Sequence, residues 1–141
     1  MIWHEKINCL KIAKDNDKEQ TEFYVWIDAG VCIFRDKKPP DIKLNLLNIN
    51  SLPHDKICYS HVEENYHNFA ATVLIMHKSI IDKVHEIYYQ SLQHLGNTIN
   101  DFRCGSDQFI HTYMLEKYPT LYYRISDGYA GNLLELYKLT I

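Results

Sequence analysis

A strand that ends in an aspartate constrains the fold of this chain more than any other feature of its sequence. Residues 23–30 read Phe-Tyr-Val-Trp-Ile-Asp-Ala-Gly. A continuous run of aromatic and β-branched residues is typical of a strand buried on both faces, as in a parallel sheet. Asp28 then lies at the carboxyl end of the strand, where open α/β sheets bind their ligands. A carboxylate there can hold a divalent cation, and it can equally cap the next turn.

The composition indicates one globular domain spanning residues 1–141. Hydrophobic residues make up 46% of the chain and charged residues 23%, and the net charge of −3 gives no broad basic surface for nucleic acid. The four cysteines form no Cys-x-x-Cys pair, so we expect reduced thiols and no zinc site. No apolar stretch approaches the roughly 18 residues of a membrane-spanning helix, and the first residues lack a secretory pattern. We therefore expect a cytoplasmic protein.

Apolar periodicity predicts an α/β order of elements. The predicted elements are a helix over 2–14, strands at 23–27, 56–60 and 71–76, a helix over 78–95 ended by Gly96-Asn97, a helix from Ser106-Asp107 to Pro119, and a strand at 121–125. Residues 31–34 are expected to continue extended. The chain opens on a helix, yet a buried parallel strand normally needs a neighbour. We therefore expect that an amino-terminal half of the fold is missing.

Three short motifs follow one another along these elements. Trp-Ile-Asp-Ala-Gly ends the first strand at residues 26–30, Asn-Phe-Ala-Ala leads into a strand at 68–71, and Gly-Ser-Asp-Gln opens a helix at 105–108. Their order resembles that of nucleotide-sugar glycosyltransferases of the GT-A fold. The Trp-x-x-Lys helix at residues 3–6 makes the chain most similar to HtrL/YibB-type glycosyltransferases and their viral relatives. The resemblance covers nearly the whole chain and implies a GT-A-like mixed sheet with flanking helices.

On the donor side, the resemblance implies a nucleotide-sugar and a divalent metal, Mn²⁺ or Mg²⁺. Asp28 would hold the metal ion, which stabilises the negative charge that develops on the leaving nucleoside diphosphate. Lys6, on the first helix, would add a point charge near the phosphates. Judged by the number of lysines alone, Lys6 is more readily interpreted as a solvated surface residue.

On the acceptor side, the resemblance implies a glycan or glycolipid whose hydroxyl groups contact the two later motifs. Asp107 would orient or deprotonate the acceptor, and Asn68 and Gln108 would bind sugar hydroxyls. His111, one helical turn beyond Asp107, would face the same cleft. The structural alternatives are a helix N-cap for Asp107, a turn residue for Asn68 and a partly exposed helix residue for His111.

Two departures from the family pattern favour an alternative function. The second Asp of the usual Asp-x-Asp motif is Gly30 here, and the amino-terminal half that would hold most of the nucleotide base is absent. The alternative is a non-catalytic remnant or interaction module that retains part of the fold. Since the strand at 23–27 would then lack a partner on one edge, we also expect weak donor binding and self-association.

Overall fold

The computed structural model describes residues 2–29, 49–98 and 102–137, which form a small α/β domain. The helices and strands are α1 (Glu5–Asn16), β1 (Phe23–Ile27), β2 (Ile57–His61), β3 (Phe69–His77), α2 (Lys78–Thr98), α3 (Asp107–Lys117), β4 (Tyr122–Asp127) and α4 (Gly131–Tyr137). Short 3-10 turns precede α1, α3 and β4, at Ile2–His4, Phe102–Gly105 and Pro119–Leu121. Gly30 and the extended segment predicted at 31–34 lie outside the described residues.

The sheet is mixed, as predicted, with its four strands in the order β1-β3-β2-β4. Strand β3 is antiparallel to both β1 and β2, whereas β2 and β4 are parallel. The prediction that β1 is a parallel strand buried on both faces was wrong. Among the described residues β1 lies at an edge of the sheet with β3 as its one strand neighbour, its side chains from Tyr24 to Trp26 are only partly buried, and Ile27 is 47% exposed.

Each face of the sheet packs against helices. On one face α1, α2 and α3 enclose the larger core, to which the sheet contributes Ile57, Tyr59, Phe69, Leu74 and Met76 and α2 contributes Ile81, Val84 and Tyr88. On the other face, a smaller cluster of Phe23, Cys58, Val73 and Ile75 packs against α4 through Leu133. The predicted apolar face of α2 is confirmed, with Leu92 only partly buried.

Three local predictions differ from the structure. The long helix α2 continues through Gly96 to Thr98 instead of ending at Gly96. The glycine costs about 1 kcal/mol in a helix, and this cost is tolerable because Gly96 is exposed and the neighbouring Leu95 is buried in the core. Trp3 has helical spacing with the buried Ile7 and Leu10 and would share their face of α1, yet it is 49% exposed, and Lys6 is buried instead. Helix α4 was not predicted, because its short sequence offers too few turns to show a period.

A buried asparagine, Asn132, joins α4 to the sheet through hydrogen bonds. The Asn132 side chain is enclosed, and its amide donates hydrogen bonds to the carbonyl oxygens of Cys58 and Val73, at 3.2 and 3.0 Å. Its Oδ1 accepts hydrogen bonds from the hydroxyls of Ser60 and Ser126, at 2.7 and 2.9 Å. One side chain thus satisfies polar groups of three strands.

Replacement of Asn132 by alanine should therefore destabilise the domain strongly. Asn132→Ala leaves buried carbonyls and hydroxyls without partners, and we expect it to lower the free energy of unfolding by about 3 kcal/mol in urea denaturation. The matched control is Asn97→Ala on the exposed end of α2, expected to change stability by less than about 0.5 kcal/mol. Equal effects of the two substitutions would contradict the anchoring role.

Candidate functional site

Several of the predicted site residues lie at one end of the sheet. The carboxyl ends of β1, β2 and β4 meet the amino end of β3 there, since β3 runs antiparallel to its neighbours. Asp28 directly follows β1, and its backbone N–H donates to the Thr72 carbonyl at 2.8 Å. Asn68 directly precedes β3. At the start of α3, the Gln108 side-chain amide donates to the Phe69 carbonyl at 3.2 Å, which ties the helix to the same edge.

Lys6 binds two of the predicted carboxylates at once. Its Nζ lies 3.0 Å from Asp28 Oδ2, 2.9 Å from Asp107 Oδ2 and 3.0 Å from the Ala71 carbonyl oxygen. The ammonium donates hydrogen bonds to Asp28 and Ala71 and forms an ion pair with Asp107. The interpretation of Lys6 as a solvated surface lysine was wrong, because only 10% of its side chain is exposed. We call Lys6, Asp28 and Asp107 the lysine cluster.

The two carboxylates of the lysine cluster have different environments. The Asp28 side chain is 32% exposed, and its Oδ1 accepts a hydrogen bond from Trp26 Nε1 at 2.6 Å. The Asp107 side chain is only 5% exposed; its Oδ1 accepts the Gln108 N–H, and its Oδ2 faces Lys6 as an ion pair without well-directed hydrogen-bond geometry. Burial raises the pKa of Asp107, and the nearby Lys6 opposes that rise. Asp28 is therefore the member that a ligand can reach.

The lysine cluster does not fit a divalent metal ion in this arrangement. Both Asp28 oxygens already accept a donor, and the Lys6 ammonium lies between the two carboxylates with the charge sign of the metal. Within residues 2–29, 49–98 and 102–137, no group of three His, Cys, Asp or Glu side chains is placed to hold a metal. Lys6 thus supplies the positive charge at this site.

His111 is enclosed in the core instead of facing a cleft. Its side chain is completely buried, stacks on Phe69 with ring centroids 4.4 Å apart, and shares a hydrogen bond of 3.0 Å with the Tyr122 hydroxyl. Its Nε2 has no partner among the described residues. Burial lowers the pKa of His111 to about 3. The expectation of a cleft-facing or partly exposed residue was wrong, and contact with a substrate would require the core to rearrange.

Sequence reasoning missed a second buried histidine, His4, beside the lysine cluster. Its Nδ1 is 2.7 Å from the Tyr88 hydroxyl and its Nε2 is 2.9 Å from the Cys104 carbonyl oxygen, so Nε2 carries the proton. Burial lowers the pKa of His4. The available signal was its position one turn before Ile7, on the buried face of α1.

Asn68 lines a separate cavity of about 570 Å³, between the loop before β3, the end of α2 and the outer side of α3. Its backbone N–H donates to Thr112 Oγ1 at 3.1 Å, and its Oδ1 is enclosed without a partner among the described residues. Asp28 and Asp107 are not among the residues that line this cavity. The structure thus brings Asp28 and Asp107 together at Lys6 and places Asn68 beside them at a different surface.

Comparison of the chain with protein-family models, with curated proteins and with solved structures finds no match. In the part of the chain that the structure describes, no helix has both the length and the apolar composition needed to cross a bilayer. Among the described residues, the thiols of Cys9 and Cys58 are free. The function is therefore inferred from the geometry at the sheet edge.

Removal of the Lys6 charge should be far more costly than removal of a surface lysine. Lys6→Met leaves two carboxylates facing each other without a cation, and we expect a loss of about 3–5 kcal/mol in the free energy of unfolding at neutral pH. Lys6→Met/Asp107→Asn should recover part of that loss. The control is Lys11→Met on the same helix, which breaks only exposed pairs with Asp15 and Asp82 and should cost much less. Equal losses for Lys6→Met and Lys11→Met would contradict this account.

The buried His111 should make stability fall as the pH is lowered. The unfolded chain binds a proton at the ordinary histidine pKa of 6.5, whereas the folded chain holds His111 neutral down to a pKa of about 3. Acidification therefore favours the unfolded state, by about 2 kcal/mol from this residue at about pH 5. In urea unfolding, His111→Gln should flatten the fall of stability between neutral pH and about pH 5, while the exposed control His94→Gln should retain it. An unchanged slope in His111→Gln would refute the assignment.

Proposed function

We propose that this chain forms part of a cytoplasmic nucleotide-sugar glycosyltransferase domain of the GT-A type, with the donor diphosphate bound at the open side of the lysine cluster. The supporting observation is the meeting of Lys6, Asp28 and Asp107. These residues are far apart in the sequence and belong to α1, the end of β1 and the start of α3. They are also the residues that the family resemblance assigns to the phosphates, the cation and the acceptor.

The chemistry proposed for the lysine cluster is stabilisation of a leaving diphosphate. Negative charge develops on the phosphate oxygens as the sugar departs, and a fixed ammonium such as Lys6 stabilises that charge without reorganisation. Asp28 keeps Lys6 in position and is exposed enough to meet a donor. Mn²⁺ or Mg²⁺ stays a proposed cofactor of the complete domain, although the described residues do not form its site.

The acceptor, a glycan or glycolipid, is proposed to approach from the α3 side of the sheet edge. Gln108 is held there by the Phe69 carbonyl, one residue from Asn68. Both oxygens of Asp107 face other groups, so its proposed role in orienting or deprotonating the acceptor requires Lys6 to release it. Asp107 therefore acts first as a partner of Lys6 and then as the group proposed to contact the acceptor hydroxyl.

One observation favours the alternative of a non-catalytic module. Lys6 is paired with oxygens of the protein itself, through hydrogen bonds to Asp28 and Ala71 and an ion pair with Asp107, an arrangement also expected of a purely structural ion cluster. The outer edge of β1 has no strand partner among the described residues, which supports the proposal of self-association through that edge. Donor binding and turnover separate the two functions.

Substitution of Asp28 is the test of the proposed donor site. The protein is titrated calorimetrically with a panel of UDP- and GDP-sugars, with and without Mn²⁺. Asp28→Asn keeps an oxygen for Trp26 Nε1–H but removes the charge that holds Lys6 in position, so we expect a folded protein whose nucleotide binding is lost both with and without Mn²⁺. The control is Asp127→Asn, an exposed carboxylate at the end of β4 on the same sheet edge, which should bind like the wild type.

The outcomes distinguish three cases. Nucleotide binding that is unchanged in Asp28→Asn would contradict the donor site, and unfolding of this variant would show that Asp28 is structural. A wild-type protein that binds none of the donors, with or without Mn²⁺, would favour the non-catalytic module.

A further inference from the structure

His4 connects α1 to α2 and to the turn that precedes α3, and we propose that it is the positioning residue of the lysine cluster. Its ring fixes the separation of α1 and α3 at which the Lys6 ammonium reaches Asp28 and Asp107 together. The placement of Lys6 and Asp107 concerns the free protein and does not depend on any ligand. The consequence for donor phosphates rests on the proposed function.

Hydrogen bonds to two other segments hold His4 in place. The Tyr88 hydroxyl on α2 lies 2.7 Å from Nδ1, and the Cys104 carbonyl oxygen, in the turn Phe102–Gly105, lies 2.9 Å from Nε2. The Tyr89 hydroxyl, also on α2, donates to the backbone carbonyl oxygen of His4 at 3.0 Å. The residue is only 5% exposed. The start of α1 is thus fixed against α2 and against the turn.

The same turn leads directly to the lysine cluster. Cys104 lies three residues before Asp107, and His4 lies two residues before Lys6. The bond between His4 and Cys104 and the ion pair between Lys6 and Asp107, each 2.9 Å long, therefore link the same two segments of the chain. A change in the first link alters the distance that the second must span.

Of these two links, the histidine is the one that can define a backbone separation. A lysine side chain is long and flexible, so its ammonium can reach an acceptor from several backbone positions. An imidazole ring is short and stiff, and both nitrogens of His4 are engaged. The ring therefore sets the separation, and Lys6 follows it.

The neutral ring suits this position because it joins the segments without adding charge. Nε2 carries the proton that is donated to Cys104, so Nδ1 keeps the lone pair that accepts the Tyr88 hydroxyl. Burial lowers the pKa of His4, which keeps the ring uncharged at neutral pH. A second cation here would compete with Lys6 for Asp107.

The experiment removes one hydroxyl that holds the ring. Tyr88→Phe leaves His4 Nδ1 without its donor and keeps an aromatic ring in the core, whereas His4→Leu would remove both links and endanger folding. The matched control is Tyr122→Phe. Tyr122 is also a buried tyrosine, and its hydroxyl lies 3.0 Å from a nitrogen of His111 instead of His4. Both variants should lose some stability, so stability alone does not separate positioning from packing.

NMR of the lysine cluster gives the readout that packing alone would not change. Hydrogen exchange of the Lys6 ammonium is measured in protein labelled with isotopic lysine, and its signal is assigned by its loss in Lys6→Met/Asp107→Asn. We expect exchange to become about tenfold faster in Tyr88→Phe, because the pairing of Lys6 loosens. The measured pKa of Asp107 should rise by about one unit, since Lys6 then opposes its protonation less. Tyr122→Phe should match the wild type in both measurements.

Donor binding is the second measurement. The UDP- or GDP-sugar that the wild type binds is titrated calorimetrically against the two variants. We expect its dissociation constant to rise about tenfold in Tyr88→Phe, because Lys6 no longer meets the phosphates in a fixed position. The dissociation constant should stay unchanged in Tyr122→Phe.

The two measurements separate this role from the proposed function. Unchanged Lys6 exchange in Tyr88→Phe, or equal acceleration in Tyr122→Phe, would overturn the positioning role. A donor that Tyr88→Phe binds as tightly as the wild type does would overturn the consequence for the phosphates. If the wild type binds no donor, the proposed function fails, and the exchange of the Lys6 ammonium still decides whether His4 positions the cluster.

Discussion

The three contacts of the Lys6 ammonium are the interaction on which the arrangement of this domain depends. They join α1 to the end of β1, to the backbone of β3 and to the start of α3. Transfer of an ammonium group out of water costs several kcal/mol, and only close, complete pairing offsets that cost. The positions of α1 and α3 over the sheet therefore both depend on the pairing of one buried charge, the Lys6 ammonium. A shift of either helix would leave a buried charge without its partner.

The sequence was most informative where a local pattern decides the outcome. The bounds of β1 agree with the prediction because an unbroken apolar run has clear ends. The buried face of α2 follows from a helical period maintained over several turns. The partner of β1 could not be predicted, because the residues of a strand do not specify whether its neighbour is parallel or antiparallel. The sheet is mixed because β4 pairs in parallel with β2 while β3 pairs antiparallel with β1 and β2, and these pairings are long-range arrangements.

The sequence identified the residues of the lysine cluster as candidates, but it did not show how deeply their side chains are buried. Motif order selected Lys6, Asp28 and Asp107, but no local pattern shows that a lysine is buried, since its burial depends on acceptors far along the chain. For the same reason, no local pattern in the sequence shows that His111 is enclosed. Lys6 and Asp28 find hydrogen-bond partners within the protein, whereas Asn68 Oδ1, Asp107 Oδ2 and His111 Nε2 are enclosed without a hydrogen-bond partner among the described residues.

The strand order has a consequence for the assembly of the chain. Of the four described strands, only β2 and β3 are neighbours both in sequence and in the sheet. Strand β1 cannot pair until β3 has been made, and β4 pairs with β2 only after α2 and α3 have been made. During synthesis the hairpin of β2 and β3 is thus the earliest part of the sheet that can form. When the outer strands β1 and β4 pair with this hairpin, they close long loops of the chain. The entropic cost of closing these loops is incurred before the contacts of the two strands form. Helix α1, although made before α3, gains its full set of charge partners only once α3 has emerged.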